Sequence, residues 1–250
     1  MPFNLRVATY NVHKGFSHFN WRMAVHEIRE RLRAVNADVV FLQEVIGGHL
    51  GHPVRYRNWP DRPQYEFLAD AVWPSFAYGR NAVYDHGHHG NAILSRYPIV
   101  HSHNHDVSAH RFERRGLLYC QMQLPAGQGN LHCICVHLAL NERGRQQQIA
   151  ELSDRTHYWV PADEPLVIAG DFNDWRGRAG QQLTHALNVK EAFHAGRAHG
   201  ARSFPGVWPL LRLDRIYVRG LTVENARVHH AARWTRGSDH ALLTANLMRE

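Results

Sequence analysis

A chain of 250 residues with 44% hydrophobic and 20% charged residues can bury a large layered core, which excludes a disordered polymer. The formal charge of +7, with 21 histidines beside it, favours anionic partners: nucleic acid, phosphorylated metabolites or an anionic membrane surface. Three cysteines cannot build a disulfide framework, so Cys120, Cys133 and Cys135 are expected to be buried free thiols, with Cys133 and Cys135 on one strand face.

The first strand begins near Leu5, with no basic and apolar leader before it, and no apolar stretch approaches the roughly 18 residues that cross a bilayer. With reduced thiols, that leads us to expect a cytoplasmic monomer. Leu5–Val12 reads as a strand running into a turn at Gly15. Trp21–Val35 has the apolar spacing of a helix, and Asp38–Val45 reads as a buried strand. The polar stretch Ile46–Pro63, with Arg55, Tyr56, Arg57, Trp59 and Arg62, is expected to be a long functional loop. A short helix follows at Tyr65–Trp73, then strands at Asn91–Ser95 and Val100–Val107. Gly116–Leu124 and Asn130–Leu138 form a strand pair joined through Gly127 and Gly129. The remainder reads as a helix at Arg143–Val160, a buried strand at Pro165–Gly170 and a helix at Gln181–Leu187. Strands at Leu213–Val218 and Ala241–Leu247 close the chain. No linker or repeat interrupts it, so residues 1–250 are expected to form one domain. Strands mixed with helices and hairpins point to mixed sheets flanked by helices.

Six short runs end in side chains that seek metal or phosphate. They are Tyr10-Asn11, Gln43-Glu44, Val136-His137-Leu138, Gly170-Asp171-Phe172-Asn173, Asp214-Arg215-Ile216-Tyr217 and Ser238-Asp239-His240. A carboxylate such as Glu44 after a run of buried residues is costly unless it caps a loop or binds a cation. Capping explains one or two of the six, but not carboxylates, amides and histidines together. Glu44, Asn11 and Asp239 offer an oxygen set suited to Mg²⁺ or Mn²⁺, while no tetrahedral His/Cys spacing suggests zinc. His137 and His240 could stabilise a charged transition state or move protons, with Asp214 fixing one tautomer. Ser238-Asp239-His240 is no serine-hydrolase triad, because three adjacent residues cannot reach relay geometry.

In that order and spacing, from about Leu5 to Leu247, the six motifs resemble the endonuclease/exonuclease/phosphatase superfamily, and in particular its small stand-alone bacterial members. The resemblance implies a four-layer α/β sandwich, with two mixed β-sheets face to face and helices outside. It implies Glu44 as principal metal ligand, helped by Asn11 and Asp239. It also implies Asp171 orienting or deprotonating the attacking water, with Asn173 holding that water and a phosphate oxygen. His240, paired with Asp214 or Asp239, would act as base or charge stabiliser. His137 would lie opposite, binding phosphate or assisting the leaving oxygen. The family offers more than one assignment of acid and base. Asn91 and Arg115 are further substrate-binding candidates, with His89 beside them. Arg145 and Gln148 are expected to tie their helix to the strand before it. His101, His103 and His105 share a strand face, read as an exposed edge rather than a zinc site.

The activity expected is divalent-metal-dependent hydrolysis of a phosphodiester. Arg55-Tyr56-Arg57-Asn58-Trp59 favours nucleic acid, and His137-Leu138 favours a phospholipid or inositol-phosphate head group. Phe204–Leu211 reads either as an apolar rim for lipid or as packed core. The alternatives are a phosphomonoesterase of the same fold and an idle binding module, whose signature would be a missing catalytic position.

Overall fold

The structure, a computed structural model, describes residues 3–17, 22–125, 127–193, 200–230 and 237–249. One six-stranded sheet is built from β1 (Phe3–Asn11), β2 (Val39–His49), β3 (Ser75–Tyr84), β4 (Gly87–Ser95), β11 (Thr222–His229) and β12 (Leu242–Arg249), in the order β11-β12-β1-β2-β4-β3. The second holds β5 (Ile99–Asp106), β6 (Gly116–Gln123), β7 (Asn130–His137), β8 (Leu166–Asp171), β9 (Lys190–Glu191) and β10 (Asp214–Arg219), in the order β5-β6-β7-β8-β10-β9. The helices are α1 (Val25–Val35), α2 (His52–Arg55), α3 (Gln64–Ala69), α4 (Glu142–Trp159) and α5 (Arg178–Leu187).

Strand alternation divides the core into three layers. In β1, Leu5 and Val7 face the second sheet and meet Cys120, Cys133, Val167 and Ile216. Ala8 and Tyr10 face the other way, toward Ile28 and Leu32 of α1 and toward Trp73. In β8, Val167 and Ala169 point inward, while Ile168 packs outward with Ile149 and Leu152 of α4. Central strands buried on both faces need near-continuous apolar sequence, which is why these segments were legible. The result is a four-layer α/β sandwich. All three thiols are free and buried between the sheets, and burial pushes that of Cys135 up to about 12.

Among the described residues, only β1 with β2 and β7 with β8 pair in parallel; the other strand pairs are antiparallel. A parallel pair needs a crossover, supplied by α1 in the first sheet and α4 in the second. Each sheet therefore has two central strands ending on the same side, where an antiparallel neighbour, β12 or β10, begins. That side collects the six motifs. Gly170 is required there: at φ +148° its position would put a Cβ 2.0 Å from the Val136 carbonyl oxygen.

Some boundaries differ from the predicted ones. The predicted loop Ile46–Pro63 is shorter, because β2 runs on to His49 against Gly87 and α2 follows. Helix α1 begins at Val25; the predicted start at Trp21 lies outside the described residues. Helix α3 stops at Ala69, before Trp73, and α5 begins at Arg178. Three strands, β3, β9 and β11, were not predicted.

Candidate active site

Where β1 ends, Asn11 donates from Nδ2 to Glu44 Oε1 at 3.3 Å and to Asp171 Oδ2 at 3.1 Å, joining the two sheets. Glu44 and Asn173 both have positive φ, 56° and 50°. Such strain at non-glycine residues is characteristic of functional sites. Ser238 donates its hydroxyl to the Asn11 carbonyl at 2.7 Å and accepts from His240 N at 3.2 Å, which fixes the Asp239-His240 step.

His240 is the centre of the buried side of the site. Its Nδ1 lies 2.8 Å from Asp214 Oδ2, and its Nε2 lies 3.8 Å from Asp171 Oδ2. Burial works against the charged imidazole, but the Asp214 carboxylate, its hydrogen bond, and then Asp171 and Asp239 outweigh it. The His240 pKa is pushed up to about 10, so the ring is cationic at neutral pH. His137 approaches the same Asp171 oxygen from the other side, at 3.6 Å. Burial holds its pKa well below the ordinary value, with Arg115 adding to the effect, and His137 stays neutral. Asp171 rises to about 6: burial and Asp214 raise it, against His240, the Asn173 backbone N–H and the Asn11 amide. A carboxylate near neutrality between one cationic and one neutral imidazole is equipped to take a proton.

The other side is more open. Lys14 Nζ stands 3.6 Å from Glu44 Oε2, and His13 Nδ1 stands 3.4 Å from Asp239 Oδ1. The Glu44 carboxyl is half-buried, which favours its neutral form, yet His137, Lys14, His13 and the Asn11 amide hold its pKa below the usual range. Two carboxylates faced at these lengths by one nitrogen group each, with a carboxamide between them, leave an oxygen donor set that fits a hard divalent cation. Among the described residues, Asp171, Asp214 and His240 also bring ligand atoms within 4.8 Å of one another. There, however, His240 Nδ1 and Asp214 Oδ2 are already paired at 2.8 Å, and a cationic imidazole has no lone pair to donate.

The structure thus brings Asn11, Glu44, His137, Asp171, Asp214, Asp239 and His240 together. Asn173 joins them from the loop after β8: its backbone N–H bonds Asp171 Oδ1 at 3.0 Å, and its Nδ2 donates to Leu138 O at 2.9 Å. Arg115 reaches the same carbonyl, which follows β7, donating from Nε to Leu138 O at 3.2 Å and pairing with Glu113 at 3.1 Å. Asn91 lies deeper and braces the sheets, donating to Gly116 O at 2.9 Å and Cys135 O at 3.4 Å. His89 lines a cavity of about 380 Å³ that opens beside Lys14, with Phe16, His52, Tyr56 and Tyr84. A larger cavity of about 840 Å³, between Trp175, α5 and β9, contains none of the candidate residues. Arg145 and Gln148 are ties, as predicted: Arg145 holds Ala139 O and Leu140 O, and Gln148 bridges Ala139 N and Val107 O. The three histidines of β5 lie on an edge strand, packed on Tyr119 and Trp159.

His13 and Lys14 were missed. They lie in a 3-10 turn, His13–Gly15, and adopt left-handed backbone with φ 45° and 57°. Burial periodicity says nothing about such positions. The available signal was their place directly after Asn11, at the end of a strand already assigned to the site.

A sequence profile of the Endonuclease/Exonuclease/phosphatase family matches residues 8–240. The Uncharacterized protein YbhP of Escherichia coli is 50% identical over 250 residues, which is 98% of this chain and 96% of that protein. Among solved structures, the endonuclease/exonuclease/phosphatase from Beutenbergia cavernae superposes with a TM-score of 0.75 at 20% identity, covering 98% of this chain and 71% of its own. The mannosyl-6-phosphatase of Bacteroides thetaiotaomicron gives a TM-score of 0.72 at 14% identity, over 97% of this chain and 99% of its own.

Proposed function

The chain belongs to the endonuclease/exonuclease/phosphatase family, whose members hydrolyse phosphoesters, and from that premise we propose that it is a phosphodiesterase dependent on Mg²⁺ or Mn²⁺. The observation that carries the reading is Asp171, held between the His240–Asp214 pair and neutral His137 and joined through Asn11 to Glu44.

Glu44 and Asp239, with the Asn11 amide, would hold the cation. When bound, it supplies Lewis-acid charge to the phosphoryl oxygens. Asp171 Oδ2 accepts the proton of the attacking water. The Asn173 backbone N–H keeps the other oxygen, Oδ1, fixed and so sets which oxygen is basic. The His240 imidazolium, anchored by Asp214, donates a hydrogen bond to the charge that develops on the phosphoryl group. Neutral His137 contacts the group from the opposite side, and Arg115 adds a cation at that rim.

The test is turnover of bis(p-nitrophenyl) phosphate by purified protein. We expect activity with Mg²⁺ or Mn²⁺, its loss with chelator, and recovery on adding metal back. Glu44→Ala and Asp171→Ala should each abolish it. Turnover indifferent to chelator, or surviving both substitutions, would contradict the reading.

A further inference from the structure

Exposed apolar side chains are placed unevenly on this molecule. Of fourteen exposed large apolar residues among those described, eleven lie at the end of the sandwich that carries Glu44, Asp171 and His240. The other three, Phe76, Val100 and Tyr158, lie at the opposite end. Strand direction decides this, because nine of the eleven sit in connections at the end where β1, β2, β7 and β8 have their C-termini, and Val83 and Tyr84 end β3 on that same side. Six separate tips are involved, represented by Val54 after β2, Val83 at the β3–β4 turn, Phe112 between β5 and β6, Leu140 after β7, Trp175 after β8 and Trp208 before β10. The predicted rim-or-core segment is a rim: Val207 is 66% exposed, Trp208 74% and Leu210 56%. It sits directly over the chemistry, with Phe204 5.0 Å from the His240 ring and the Gly206 N–H bonded to Asp239 O.

Exposed arginines accompany the tips. Arg55 follows Val54, Arg176 follows Trp175, and the Arg111 guanidinium stands 4.5 Å over the Phe112 ring. Exposed apolar tips gathered at one end of a molecule, and rimmed by cations, have the composition of an interaction surface. Arginine could serve nucleic acid as well as lipid, and tryptophan can stack on a base. Isolated valine and leucine tips find no partner on a phosphate and sugar exterior. Aromatic and aliphatic tips among arginines match the composition that inserts into a membrane interface beneath anionic head groups.

We propose that the site-bearing end docks on an anionic bilayer, its apolar tips entering the head-group layer, so that the phosphoester presented to Asp171 and His240 belongs to a membrane lipid. The docking stands on exposure and charge alone; the identity of the substrate rests on the phosphodiesterase reading above.

Co-sedimentation with vesicles of phosphatidylcholine, with and without phosphatidylglycerol, tests it. The protein should bind the phosphatidylglycerol vesicles and release them as salt rises. Val207→Ser/Trp208→Ser/Leu210→Ser should weaken that binding roughly tenfold or more, since withdrawing even one of the three apolar tips is worth about a factor of ten. Val100→Ser/Tyr158→Ser, at the opposite end, should leave it unchanged. Arg55→Glu/Arg176→Glu should lower the preference for phosphatidylglycerol, by about fivefold or more per site. Turnover of bis(p-nitrophenyl) phosphate should be unaffected by the Val100/Tyr158 variant. Docking is overturned if no vesicle is bound or if the two apolar variants behave alike. It is also overturned if the rim variant loses a single-stranded oligonucleotide while keeping vesicles. Vesicle binding without turnover of either bis(p-nitrophenyl) phosphate or lipid would uphold docking and sink the reaction; soluble turnover without vesicle binding would do the reverse.

Discussion

Asp239 and His240 are neighbours in the chain, yet they serve two halves of the site that differ in how charge is balanced. On the Asp239 side, Glu44 and Asp239 are partly exposed and faced by Lys14 and His13 at 3.6 and 3.4 Å. On the His240 side, Asp171, Asp214 and both imidazoles are buried and balance one another through a 2.8 Å bond and two longer contacts. Loose pairing at the edge of solvent allows one cation to replace another. Tight pairing in the interior instead fixes where protons sit. We therefore assign cation exchange to the first half and proton handling to the second.

The largest effect should come from breaking the buried half. His240→Ala leaves Asp214 buried without its partner, which should cost about 3–5 kcal/mol of stability in denaturant unfolding. The same change should lower kcat by about 10²–10⁴-fold. Next in size is Glu44→Gln in the open half. Wild-type protein at a hundredfold excess of Mn²⁺ over its Kd should gain about 3 kcal/mol, and this variant should gain almost none while its metal-free stability changes little.

The pH profile sharpens the contrast further. Because Asp214 and then Asp171 hold the His240 pKa up near 10, against an ordinary 6.5, the folded chain keeps a proton that the unfolded chain releases. The stability from this pair is full below 6.5 and is lost as pH rises toward 10. Denaturant titrations across that window should slope downward for wild type and flatten for Asp214→Asn. The smallest effect belongs to Lys14→Ala. Its ion pair is 41% exposed on the lysine side and should contribute no more than about 1 kcal/mol, but its removal should tighten Mn²⁺ binding because a competing cation is gone.

The two halves were not equally legible in the sequence. Asp171, His137 and Glu44 follow apolar runs of strands buried on both faces, where a polar residue stands out against apolar sequence. His13 and Lys14 sit in a left-handed turn with no periodic signal, so the nitrogen groups facing the two carboxylates of the open half were invisible. The same logic separates the strands. β11 carries Glu224, Asn225 and Arg227, with a register shift between Val223 and Asn225, and it lies on a sheet edge. It therefore lacks the apolar run that revealed β8. β3 is also an edge strand, with most of its residues half-buried or exposed. In β2, Gly47-Gly48 looked like a loop, but pairing of Ile46 and Gly48 with His89 and His88 carries the strand through them.

The central claim is that the cation belongs to Glu44 and Asp239 while Asp171, Asp214 and His240 manage protons. Calorimetric titration of Mn²⁺ into wild type, Glu44→Gln and His240→Gln, with turnover measured on the same preparations, tests it directly. We expect Glu44→Gln to lose both metal binding and turnover, and His240→Gln to lose turnover while binding Mn²⁺ as wild type does. Retained binding in Glu44→Gln, together with lost binding in His240→Gln, would place the metal in the Asp171–Asp214–His240 cluster and contradict the account.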